Sequence, residues 1–477
     1  MIARLLAGLV GAGALLHAGS ARAAAPCVRL TRAGTQVQGD VRVCPGRYRI
    51  ADPSERGVLI AAASGTRIDL TGVTLESGDS VAERYVGIGV ASRGVDGVTV
   101  LGGTVRGYRV GVRLDGGRNH RVSGIDVSGS RRQRLRSTTQ RTDSLDRLDL
   151  GTLESVERYG GGVLLRGTVG ASVTGVTSRR AQNGIGLIDA SNSYLADNNL
   201  SDNSGWALHL FRSSHNTVVR NDGSRTRRCP SDRADCAAAA TLLREGSDSN
   251  TVADNDLRRS SIGVLVAGPP RVGRVSVGNL IYRNDASLAG VAAFAARGTW
   301  RVTWLDNRAD SAAVGFELVR VSASLVRGNT VIGARRVAIE IVHGGEMGIA
   351  ANVLLGAPVG VRVTAPDSGA APSRGFRIDD NLLGNLEQGI TLSGVGGSRL
   401  RGNVFDGVGV GLVVDGAGHG TEVTGNVFLR ARRWFIDAPD LAAGGNYWAT
   451  GDAARATARV RGRVSVLPWK PASAAGY

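Results

Sequence analysis

Gly315-Phe316-Glu317-Leu318, Leu325-Val326-Arg327-Gly328-Asn329 and Ala338-Ile339-Glu340-Ile341 follow one another within a single stretch, and their order decides how this chain folds. A small residue opens a short run with alternating apolar positions, a second run ends in Asn, and then the small residue returns. The opening element recurs as Gly111-Val112-Arg113-Leu114, Gly162-Val163-Leu164-Leu165, Gly184-Ile185-Gly186-Leu187 and Gly205-Trp206-Ala207-Leu208. It is found again as Gly360-Val361-Arg362-Val363, Gly389-Ile390-Thr391-Leu392 and Gly411-Leu412-Val413-Val414. The Asn-ended element recurs as Val218-Val219-Arg220-Asn221, Val252-Ala253-Asp254-Asn255, Leu400-Arg401-Gly402-Asn403 and Val423-Thr424-Gly425-Asn426. Asn307, Asn329, Asn352, Asn381, Asn403 and Asn426 are separated by 22, 23, 29, 22 and 23 residues. A unit of that length holding two or three short strands is one coil of a parallel β-helix. Leucine-rich repeats have similar lengths, but their Leu-x-x-Leu-x-Leu frame is not met.

The physics of the unit agrees. Alternation puts Ile185 and Leu187 inward and Gly186 and Ile188 outward. A single coil cannot bury its inner face, whereas coils stacked ~4.8 Å apart can, with every strand hydrogen-bonded to its neighbours. Asn tolerates the left-handed backbone of a sharp corner, and its amide can bond the Asn one coil away. The expected fold is all-β, one solenoid of roughly a dozen coils capped at both ends. Residues 81–445 form the stack, 26–80 the N-terminal cap and first coils, and 446–477 the C-terminal cap, since an open end exposes unpaired backbone. Two stretches break the period and read as loops thrust out of the stack. Residues 130–160 begin with Arg131-Arg132-Gln133-Arg134 and continue through Asp143, Asp146 and Glu157, while 223–245 carry two cysteines. Insertions in solenoids tend to gather on the binding face.

Composition points the same way: 69 glycines, 4% aromatics and no long helical period mean short strands and tight turns. Residues 1–25 have the layout of a signal peptide, with Arg4, an apolar run from Leu5 to Leu16, and Ala21-Arg22-Ala23. That run is too short for ~30 Å of hydrocarbon, so the expectation is periplasmic or secreted protein without a stable membrane anchor. Cys27, Cys44, Cys229 and Cys236 allow three pairings; the local one, 27–44 and 229–236, is the simplest and suits an oxidising compartment. With no C-x-x-C pair a redox or zinc motif has no support, and neither a resident metal nor a cofactor is expected. The formal charge of +17 invites acidic partners. However, Lys470 is the only lysine, a bias that reads as codon usage, and export argues against nucleic acid.

In its Gly-Ile-Gly-Leu-type strands, its Asn-ended strands and the closing Asn446-Tyr447-Trp448 and Leu467-Pro468-Trp469, the chain resembles bacterial right-handed β-helix proteins of the pectate-lyase-like superfamily. The resemblance is strongest to NosD-type periplasmic carbohydrate-binding and sugar-hydrolase repeats. It covers about residues 80 to 470, and it implies right-handedness and a carbohydrate ligand. The catalytic motifs of the superfamily's enzymes are missing. Where polygalacturonase-like enzymes carry aspartates before the small-residue strand, this chain has Gln182-Asn183, Asn203-Ser204, Ser260-Ser261, Ala312-Ala313, Arg335-Arg336 and Ala357-Pro358, with Glu387 the only acid. Paired carboxylates, which glycoside hydrolysis needs, are therefore lacking at those places.

Two clusters remain as candidate sites. Counted from the strand openings, Asp115, Arg166 and His209 share one outward column, with Gln182, Asn183, Asn203 and Trp206 on nearby coils beside the 130–160 insertion. Amides, an Arg, a His and a Trp are means of gripping sugar hydroxyls and stacking a sugar face. His209 is the candidate general base and Arg166 the candidate partner of a substrate carboxylate. In the other cluster Glu317, Glu340 and Arg362 share an outward column on three successive coils, either as a proton- or cation-sharing site or as a surface ion ladder. The function expected is binding of an extended carbohydrate, a polymer that acidic groups would suit. The alternatives are a lyase, epimerase or hydrolase with an atypical site, and a periplasmic maturation or assembly factor.

Overall fold

The computed structural model describes residues 27–148, 154–230, 233–268, 273–365, 373–415, 420–450 and 452–469. Residues 1–25, read from sequence as a signal peptide, lie outside the described residues. One coil shows the plan: strand Val314–Ser322, then Leu325–Arg327, then Thr330–Ile332, after which Val337–Val342 starts the next turn. Each strand pairs in parallel with its counterpart one coil away. Repetition builds a long sheet of seventeen strands and a second sheet of fifteen. The third face is a three-stranded sheet at one end and a five-stranded sheet at the other. Between them it thins to single bridges such as Asp126–Thr177, Asn199–Asp222 and Asp256–Asp285. The stack exceeds the dozen coils expected because strands near both ends, Thr35–Val37 and Val460–Ser465, extend the long sheet. Among the described residues the longest helix is Glu154–Tyr159, and none is long and apolar enough to cross a membrane.

Inward positions form one continuous core: Val112, Leu114, Val163, Leu165, Ile185 and Leu187 all lie in it fully buried. At its C-terminal end Phe428 stacks between Phe405 (4.6 Å) and Trp448 (4.8 Å). Both disulfides form as the spacing predicts, Cys27–Cys44 and Cys229–Cys236.

The corners after the second-sheet strands carry the Asn ladder. Eleven buried asparagines run unbroken from Asn198 through Asn221, Asn255, Asn284, Asn307 and Asn329 to Asn446. Each Nδ2 donates to the next Oδ1 at 2.8–3.1 Å. Each Oδ1 also accepts the preceding backbone N–H, as Asn329 Oδ1 does from Asn307 N at 2.9 Å. A corner on every coil would otherwise bury backbone groups without partners, and the amide supplies both a donor and an acceptor for them.

The small residues of the strand openings mark where the third face meets the long sheet. A Cβ on Gly162 would lie 2.1 Å from Ser178 Oγ, and one on Gly389 2.4 Å from Gly411 O and 2.7 Å from Phe405 Cδ1. Gly389→Ala should therefore force the neighbouring backbone apart and cost about 1–3 kcal/mol in urea unfolding. Gly345→Ala, where the added carbon meets nothing closer than 3.6 Å, should be neutral or slightly stabilising.

Candidate functional site

The outer face of the long sheet carries both candidate clusters, and strand register shows which residues are neighbours. Asp115 lies level with Arg166, Arg166 with Ile188, Ile188 with Phe211, and Phe211 with Arg244. His209 is not in that column; it stands level with Gly186 on one side and Leu242 on the other. The correction has a simple cause. Leu208 pairs with Ile185, so the small residue equivalent to Gly184 is Ala207 rather than Gly205, and counting from Gly205 shifts His209 by two places.

Of the amides expected to face a ligand, Asn183 and Asn203 face the coil corners instead, and Gln182 turns to the 130–160 insertion. Asn183 donates to Gly160 O (2.8 Å) and accepts from Trp206 N (3.2 Å). Asn203 donates to Ser178 O and Leu200 O and accepts from Ala181 N (2.9 Å). Gln182 accepts Gln133 N at 3.2 Å. All three are buried, because bends that lie inside the protein need side-chain partners for their backbone. At the rim, Arg166 pairs with Glu157 (3.2 Å) and Asp115 is held by Arg113 (2.9 Å).

Trp206 is buried in a cluster with Ala239, Leu242, Ile262 and Leu265, separate from the main core. A second outer cluster joins Ile88, Val110, Leu164, Ile188 and Phe211. This part of the outer face is thus apolar and covered. The two insertions meet over it. Arg228, buried, donates from Nε to Asp146 O (2.6 Å) and from Nη1 to Ser204 O (3.2 Å), and also bonds Gln133 Oε1. Burial lowers the Arg228 pKa to about 10, against the pull of Asp146. Arg147 bridges to Asp235 at 2.8 Å, and Leu148 and Ala237 pack on the Trp206 cluster. Residues 131–134 are pinned beyond it, with Arg132 N bonded to Ala82 O and Arg134 N to Glu83 Oε1.

His209 lies within this covered region, 4% exposed, with Trp206 at 6.1 Å and Phe211 at 6.2 Å between ring centres. Neither of its ring nitrogens has a hydrogen-bond partner among the described residues. Burial first, and Arg244 second, pull its pKa down to about 3, so the ring is neutral. A neutral imidazole with two uncommitted nitrogens can accept one hydrogen bond and donate another.

Sequence reasoning missed Arg228, Asp146, Arg244 and Phe211. One signal was present: Trp206–Phe211, Ala239–Arg244 and Ile262–Ala267 are nearly continuous apolar runs, the mark of strands covered on both faces.

Further along, the face opens and turns polar. Glu317, Glu340, Arg362 and Thr391 are in register on four successive coils, in the same column as His209. Each Glu has an arginine: Arg297 for Glu317 (3.0 Å) and Arg362 for Glu340 (3.4 Å). The column ends at a groove of about 530 Å³ lined by Thr391, Ser393, Asp415, Asp437 and Arg461. Elsewhere many arginines are spent on coil-to-coil pairs, including Arg212–Asp189, Arg220–Asp197 and Arg283–Asp254.

Three parallel faces, an amide ladder and a long sheet roofed over one half define a right-handed parallel β-helix protein. Residues 44–228 and 245–458 match the family described as periplasmic copper-binding protein (NosD), and the chain belongs to that family. The described residues do not fit a copper site. The cysteines are paired as disulfides, and Met347 is in the core. His120 is engaged through both ring nitrogens by Val98 N and Gly116 O. Among the described residues no three His, Cys, Asp or Glu side chains gather around one point.

No curated protein matches the chain. The catalytic domain of an alpha-1,3-glucanase in complex with tetrasaccharides is 11% identical, covering 79% of this chain and 70% of that one, at a TM-score of 0.46. A periplasmic alginate epimerase is 13% identical over 83% of this chain and 85% of its own, at 0.43. A surface adhesin of Streptococcus pneumoniae is 12% identical over 78% and 84%, at 0.37.

Proposed function

We propose that the protein is exported and binds an extended carbohydrate polymer along the outer face of its long sheet. The observation that carries this reading is the open polar column Glu317, Glu340, Arg362 and Thr391, with the groove around Ser393 and Asp415 at its end. Carboxylates, a guanidinium and a hydroxyl repeat there at ~4.8 Å, so hydrogen-bonding groups recur along an axis that an extended chain can follow. Retention on immobilised acidic and neutral polysaccharides tests it. Glu340→Gln combined with Arg362→Ala should lower retention about tenfold, the loss of one charge-assisted contact. Wild-type retention untouched by that pair overturns the placement.

A second reading rests on His209. Its column runs on into the polar half, and its neutral ring has both nitrogens uncommitted. In an atypical lyase or epimerase the neutral ring, too weak a base at a pKa of about 3 to take the proton itself, would hydrogen-bond charge developing on the substrate, with Arg244 beside it. Unsaturated fragments or inverted sugar residues formed from an acidic polysaccharide, and lost in His209→Leu, would favour this reading. Retention without product favours binding alone.

A further inference from the structure

On the third face near the N-terminal end lies a groove of about 770 Å³, on the side of the coil away from the candidate clusters. Its floor is the sheet Gly46–Arg49, Val73–Glu76 and Thr104–Arg106, and the segment from Ser77 to Tyr85 forms one wall. In register, Glu76 stands between Arg49 and Arg106. Arg47 grips it with two bonds (2.9 and 3.1 Å) and Arg106 with two more (3.3 and 3.1 Å). These contacts, Arg47's first, hold the Glu76 carboxyl below its usual range and therefore charged. Each of these guanidiniums has five N–H donors, so each keeps three beyond those used on Glu76. Arg49 meets a carbonyl rather than a carboxylate, Gly78 O at 2.9 Å. Arg180, exposed on a left-handed corner (φ 55°), lines the far end.

Four arginines thus face three carboxylates, Glu76, Asp79 and Asp126. The two aspartates each spend one oxygen on an N–H two residues on, at 2.9 Å, and keep further acceptor capacity. We infer that this groove is a binding site for a singly charged, hydroxyl-rich ligand, a hexuronate unit of an acidic glycan. The arginine forks match a carboxylate, and the aspartates, Thr104 and Ser128 accept or donate to hydroxyls. A phosphate dianion would meet repulsion from Asp79 and Asp126 that a polyol with one charge avoids. The site does not depend on the long-sheet reading.

Calorimetric titration of the mature protein with trigalacturonate, maltotriose and inorganic phosphate tests the assignment. Trigalacturonate should bind saturably, at least fivefold more weakly in Arg49→Ala and in Arg180→Ala, with circular dichroism unchanged. Asp126→Asn should weaken it as well, whereas Arg283→Ala, in a coil-to-coil ion pair away from the groove, should leave it unaltered. Absence of saturable binding overturns the inference. So does equal affinity for phosphate or maltotriose, or binding that survives both arginine changes and is lost in Glu340→Gln.

Discussion

Lowering the pH from 7 to 4.5 is expected to remove roughly 3 kcal/mol of stability through His209 alone, at about 1.4 kcal/mol per pH unit below the ordinary histidine value. The folded ring titrates near pH 3 because burial, aided by Arg244, disfavours its charge. The unfolded ring titrates near ~6.5. Between those values the unfolded state binds the proton and the folded state does not. The contribution is therefore fully present above ~6.5, falls as the pH drops, and levels off below about 3. Carboxylates titrate over part of the same range, so the informative quantity is the difference between wild type and His209→Leu in urea unfolding at pH 7 and 4.5. The variant should lose markedly less stability on acidification. At pH 7 it should be neutral or more stable, since two buried nitrogens without partners disappear. Identical pH profiles would show that His209 is hydrated or paired in solution.

Asn329→Ala should cost about 4 kcal/mol, several buried hydrogen bonds lost at once at ~1 kcal/mol or more each. Asn329 Nδ2 bonds Trp304 O, Arg327 O and Asn352 Oδ1 at 3.0–3.1 Å. Its Oδ1 accepts both N and Nδ2 of Asn307, at 2.9 and 3.1 Å. Alanine removes the amide from Trp304 O and from the buried N and Nδ2 of Asn307, whereas Arg327 O keeps Asp306 N and Asn352 Oδ1 keeps Asn329 N. Asn329→Asp should be no better, because it removes the donors and adds a buried charge. The comparison is Asn192, an exposed corner residue at φ 54°, where alanine pays only the ~1–2 kcal/mol of a left-handed backbone. Urea unfolding, with hydrogen exchange over 314–342 to detect local opening of a solenoid, distinguishes the two. Asn329 is not itself left-handed, that conformation falling to Gly328 before it (φ 67°), so a loss at Asn329 no larger than at Asn192 would mean that the ladder adds little stability.

The register error at His209 shows where reading by motif ends. Gly205 and Ala207 are both small, and the spacing between coils cannot choose between them. The choice is made by Leu208, which must fall in the inner column beside Ile185. Arg362 falls in its column from sequence because Ala338 and Gly360 have no second small residue two places away to compete as the strand opening. Asn183 and Asn203 look like ligand-facing amides in a list of residues. Their donors go to Gly160 O, Ser178 O and Leu200 O, atoms that only the closed coil brings near.

By itself the sequence determined the coil, its all-parallel strands, the Asn ladder, both disulfides and the Glu317–Glu340–Arg362 column. All of these follow from short-range patterns repeated every 22–23 residues or, for the disulfides, from local spacing. Only the tertiary structure decided that the two insertions meet over Trp206 and His209, and that Arg47, Glu76 and Arg106 line one groove. The reason is physical: Arg228 and Asp146 lie 82 residues apart, and no periodicity encodes a contact between segments that interrupt the repeat.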